Sequence, residues 1–136
     1  MNHLIIGRVL IIAGFLLGLT SLYPTVSHIG DPEFLLAGGD VLDHGYYHFF
    51  REVGGDVAAM MVIIYFLFTS SHNRTPATWL MCFIIALGYY APYWIGMPFN
   101  DVLGAPHMSA EISHILQAAL VFTGLWTARS IIQPQG

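Results

Sequence analysis

Lysine is absent from this chain, and its only permanent cations are Arg8, Arg51, Arg74 and Arg129. Four scattered arginines cannot assemble a basic stripe, so nucleic acid is excluded as a partner. The single cysteine, Cys82, excludes an intramolecular disulfide framework and any thiolate metal cluster. Charged residues of both signs make up only 9% of the sequence, against roughly 25% in soluble domains. A soluble protein of 15.0 kDa would need more charge than this to cover its surface. Repeats, low-complexity tracts and interdomain linkers are also missing, and 136 residues are too few for two ordinary domains.

What is present is apolar: 56% of the residues, with a mean hydropathy of +0.66. These residues gather into long runs, which predict an all-α integral membrane protein, a four-transmembrane-helix bundle forming a single domain over 1–136. The spans are expected at about 4–23, 48–70, 78–97 and 108–128, with a loop at 24–47. Arg8 interrupts the first run close enough to its start to snorkel outward. That run reads as a retained signal anchor, because it is too long for a leader and no small-x-small site follows at Leu22–Ser27. The apolar bodies of the second and fourth runs, Val57–Thr69 and Ile115–Trp126, are too short to cross ~30 Å of hydrocarbon alone. Their polar first turns must complete each span and be sheltered from lipid.

Four spans put both termini on one side. That side carries Arg8, Arg74 and Arg129 and no acid, whereas the other carries Arg51 and all eight acids, +3 against −7. The positive-inside rule then predicts cytoplasmic N- and C-termini and an acidic outer face, in a membrane of the cell inner-membrane type. In the outer loop, Gly30-Asp31-Pro32 reads as a turn. Asp40 reads as the N-cap of the second helix, with Asp43 in its first turn.

The chemically informative residues lie where spans two and four begin. Span two opens with His44, His48, Arg51, Glu52 and Asp56, and span four with His107, Glu111 and His114. At 100° per residue the last three fall within about 60° on one helix face, while the first set forms a slanted stripe. Counting ~1.5 Å per residue from the cytoplasmic ends gives heights of ~20 Å for His114, ~21 Å for Asp56, ~24 Å for Glu111 and ~27 Å for Glu52. His107 and His48 come to ~30 and ~33 Å, and Tyr89 and Tyr93 of span three to ~17 and ~22 Å. A polar pocket in the outer half of the bundle is therefore expected, and carboxylates at such depth must pair, bind cations or exchange protons.

Several chemistries fit these residue types. Histidine and carboxylate at i, i+3 and i+4 spacing present metal ligands in helical bundles, which makes His44, His48, His107, Glu111 and His114 candidates for iron, zinc, copper or manganese. The Glu111-x-x-His114 spacing is that of carboxylate-bridged di-metal bundles, but no second Glu-x-x-His is present. Without metal, Glu111, His114, Asp56 and Glu52 can serve as an acid–base set, since a buried carboxyl group can keep its proton beside a histidine base. Aromatic walls from Phe49, Phe50, Tyr89, Tyr90, Tyr93 and Trp94 suit a lipophilic small molecule entering from the bilayer. Isomerase, cyclase and metal-dependent oxidoreductase chemistry all fit such a pocket. A b-type haem between His48 or His114 and a partner is a weaker fit, because the histidines stand among carboxylates near the surface. The rival to an enzyme is a non-catalytic accessory or metal- or haem-binding subunit, within a larger membrane complex or a homo-oligomer.

Ordinary accounts compete for most of these residues. Asp40 and Asp43 are natural capping residues, and Trp79, Tyr93 and Trp94 match interfacial aromatic belts. Gly14 and Gly18 form a small-xxx-small pair that marks close helix packing. Glu52, Asp56, Glu111 and His114 resist such accounts, because their cost at depth needs an offset.

Overall fold

A proline-free run with one charge, from His3 to Tyr23, supplies most of helix α1 (His3–Ser27). The computed structural model describes residues 2–27, 44–96 and 108–129. They form α1, α2 (His44–Phe68), a short 3₁₀ turn (Ser71–Asn73), α3 (Pro76–Gly96) and α4 (Met108–Ala128). Among the described residues there is no strand. The helix bounds follow the expected spans to within two residues, except that α1 runs four residues further, to Ser27, and α2 begins at His44 rather than near His48. The segment His3–Thr20 and all of α4 are long and apolar enough to cross a membrane, and Pro76–Pro92 is a shorter apolar stretch. The predicted turn at Gly30-Asp31-Pro32 and the Asp40 cap lie outside the described residues.

α1 and α4 form the tightest pair, running antiparallel. Gly7, Ile11, Gly14 and Gly18 recur at steps of four, three and four, and so do Gln117, Val121, Gly124 and Ala128. A β-carbon placed on Gly124 would stand 2.6 Å from Ile11 Cγ1, and one on Gly14 would stand 2.8 Å from Val121 Cγ2. The backbones thus approach as small-residue helix pairs do, gaining dispersion contacts over the whole seam. Gly14 and Gly18 take the packing role expected of them. α3 packs against both α2 and α4, and Ile11, Ile63, Ala86, Tyr90, Val121 and Leu125 meet in the core shared by the four helices.

One end of the bundle is fixed by side chains that satisfy helix-end carbonyls. Arg8 does not merely snorkel outward: its Nε and Nη2 donate to the Leu67 carbonyl at 2.9 and 2.7 Å. Its guanidinium also lies 4.6 Å from the Phe68 ring centre. The last carbonyls of α2 have no partner within the helix, and this is why a nearby cation turns inward toward them. Arg74 Nη1 donates to the Thr69 carbonyl at 3.0 Å, and Trp79 Nε1 donates to the Leu125 carbonyl near the end of α4 at 2.8 Å. The start of α3 is set by Thr75 and Thr78, whose side chains accept reciprocally from each other's backbone N–H at 3.2 and 2.8 Å. Pro76 occupies the first helical position, where its missing N–H costs nothing.

Candidate functional site

Toward the opposite, acidic end, α2, α3 and α4 enclose a cleft of about 330 Å³ lined by Glu52, Asp56, Tyr89, Pro92 and His114. Spacing places the two carboxylates: positions four apart on α2 share a face. Glu52 lies within electrostatic reach of Asp56. Among the described residues, neither carboxylate has a hydrogen bond or an ion pair. Pro92 stands inside α3 and has no N–H to offer, so the Gly88 carbonyl loses its partner four residues on. A β-carbon on Gly88 would meet nothing within 4 Å.

His114 is half-buried and wedged between two aromatic edges, with ring centres 5.5 Å from Tyr90 and 5.0 Å from Trp94. Its Nε2 lies 3.4 Å from the Tyr90 carbonyl oxygen. A carbonyl can only accept, so Nε2 carries the proton in this arrangement and Nδ1 is the basic atom of the neutral ring. Tyr90 itself is 1% exposed, and among the described residues its hydroxyl has no hydrogen-bond partner. That hydroxyl lies within electrostatic reach of Tyr89 and Asp56, both of which line the cleft.

Four of the residues singled out from sequence, Glu52, Asp56, Tyr89 and His114, thus meet in one cleft, and Trp94 touches it through the His114 ring. Glu111 does not line the cleft. It sits in the first turn of α4, where a carboxylate favours the positive helix end. Phe50 is half-exposed and does not line the cleft either. The backbones of His44, His48, Phe49 and Tyr93 are helical. Their side chains, and the whole of His107, lie outside the described residues. Among the described residues no three His, Cys, Asp or Glu side chains stand close enough to hold a metal ion.

Two residues of this region were not anticipated. Pro92 reads in sequence as a helix breaker rather than as a wall. Gln117 is a buried polar side chain, 4% exposed, whose Nε2 lies 3.2 Å from Ser113 Oγ one turn away on α4. A lone amide inside the apolar run Ile115–Trp126 was the available signal. One turn from Asp56 along α2, Met60 joins Phe15, Leu16, Val57 and Ile64 in an apolar groove of about 240 Å³ between α1 and α2. Chemically, the cleft offers two carboxyl groups, a phenol and an imidazole, with Pro92 the apolar residue of the described lining, which is equipment for proton transfer and for holding a polar group. Comparisons with protein-family models, with characterised proteins and with solved structures find no match for this chain.

Proposed function

We propose that this protein is a four-span membrane enzyme that binds a lipophilic small molecule in the cleft and acts on it by acid–base chemistry. Its termini lie in the cytoplasm of an inner-membrane-type bilayer, and the cleft opens in the outer half. The membrane reading is supported by the bundle's surface. Val9, Leu16, Met61, Ile84, Ile95 and Trp126, drawn from all four helices, are each more than half-exposed. Helices apolar on their outer faces as well as in the core are suited to lipid as solvent. The gathering of Arg8 and Arg74 at one end, with Glu52 and Asp56 toward the other, supports the orientation.

The observation that carries the functional reading is the cleft itself. An accessory subunit would have this volume filled by side chains, whereas among the described residues Glu52, Asp56, Tyr89 and His114 line a cleft of about 330 Å³. His114 Nδ1 is the candidate base, Asp56 the candidate acid, and Glu52 and Tyr89 position the polar group of the substrate. The apolar groove beside Met60 suits the hydrocarbon part. Metal and haem are left out of the proposal, since no ligand set stands together among the described residues.

The test is untargeted mass spectrometry of membrane lipid extract incubated with the purified protein in nanodiscs. The expected result is one lipophilic species consumed by the native protein and spared by His114→Ala and Asp56→Asn. An unchanged extract with native protein, or equal turnover by both variants, would refute the assignment.

A further inference from the structure

We infer that the molecule taken by the cleft is a lipophilic organic cation, an amine or quaternary ammonium carried on a hydrocarbon body. This rests on the cleft being the protein's binding site and adds the charge of its ligand. Two observations carry it.

The first is charge. Two acids, Glu52 and Asp56, and one base, His114, line the cleft among the described residues, with no lysine or arginine, so with His114 neutral the lining is acidic. The two carboxylates lie within reach of each other and, among the described residues, have no hydrogen bond or ion pair. Carboxylates held within reach of each other repel, and a bound cation relieves that cost. The second is the aromatic wall. Tyr89 lines the cleft, and Tyr90 and Trp94 stand against the His114 ring at 5.5 and 5.0 Å. Of these only Tyr89 is a lining residue, and a phenol ring beside a carboxylate is an environment that ammonium groups select, through the negative face of the ring.

The cleft volume of about 330 Å³ falls at the small end of ligand pockets, which suits a compact head with its tail lying outside.

The experiment uses the full chain in phosphatidylcholine nanodiscs, with empty discs as the baseline. Dodecyltrimethylammonium is compared with its uncharged carbon isostere by calorimetric titration. The cation is expected to bind at least tenfold more tightly than the isostere. Asp56→Asn and Glu52→Gln are each expected to weaken the cation tenfold or more while leaving the isostere unchanged. Far-UV circular dichroism checks that the variants keep their helices, and Glu52→Gln is exposed enough to spare the fold where Asp56→Asn does not. Equal binding of cation and isostere, insensitive to both variants but lost in His114→Ala, would overturn the charge assignment and leave the acid–base reading standing. Absence of binding by either amphiphile to a folded protein would overturn both.

Discussion

The carbonyl oxygen of Gly124 stands 2.7 Å from the point a β-carbon on Gly7 would occupy. The obstruction is backbone, which cannot rotate away, so any side chain at Gly7 must push α1 off α4. Gly7→Ala and Gly124→Ala are each expected to destabilise the protein by roughly 1–3 kcal/mol, the range for overpacking a close-fitted interior. Gly54 and Gly55 are the controls, because a β-carbon on either meets nothing within 4 Å. Alanine there should be neutral or should stabilise by up to about 1 kcal/mol through helix propensity. Denaturant titrations in one detergent, read by circular dichroism, compare the four variants.

Arg8 caps α2 from a neighbouring helix through two donors on one carbonyl. Arg8→Gln is expected to cost roughly 1.5–3 kcal/mol, the range for a hydrogen bond to a charged group. Arg8→Lys keeps the charge but lacks the planar fork, so it should recover only part of that loss. The same denaturant titration decides it, and a lysine variant as stable as the native protein would show that charge alone suffices.

Within the cleft, His114→Ala and Asp56→Asn should each lower turnover of the consumed lipid by roughly 100-fold or more, the scale of a lost general acid or base. Glu111→Gln should lower it far less, because Glu111 does not line the cleft. Initial rates at matched protein concentration measure this.

Tyr90→Phe removes a buried hydroxyl that has no partner among the described residues. Deleting an unsatisfied polar atom relieves a desolvation cost, so thermal stability without ligand should stay level or rise by roughly 1 kcal/mol. Scanning calorimetry reads that outcome. A drop of several kcal/mol would mean that the hydroxyl is satisfied after all.

The proposed orientation is tested with single cysteines in a Cys82→Ser background, Cys82 being buried in the core. Ser109→Cys at the start of α4 should react with an impermeant maleimide on intact spheroplasts. Ser71→Cys, in the link between α2 and α3, should react only after lysis. The opposite pattern would invert the topology.

How far the sequence discloses this molecule depends on what each inference needs. Long apolar runs need no knowledge of neighbours, so α4 falls on 108–128 as expected. α2 begins earlier than its apolar residues suggest, because its first turns are polar and aromatic. Counting along a helix fixes height, and height alone brought Asp56 and His114 to one level. It does not fix which way a side chain points, and that is where Glu111 and Phe50 depart from the expectation. The Gly7–Gly124 contact was hidden for a related reason. Gly14 and Gly18 sit four apart on one helix and can be recognised alone, whereas Gly124 acquires meaning only once α4 is known to lie against α1.

Pro92 divides α3 into two rods of unequal constraint. The rod below it is tied to α4 by the Trp79 indole and stacked through Trp79 on Phe83, with ring centres 5.4 Å apart. The rod above it lacks the backbone bond that would transmit bending stiffness across the proline. Pro92 itself forms part of the cleft wall. The short upper rod, residues 93–96, is held instead through the Trp94 ring, 5.0 Å from that of His114, so a change at His114 reaches the end of α3 through a ring contact rather than through the helix backbone.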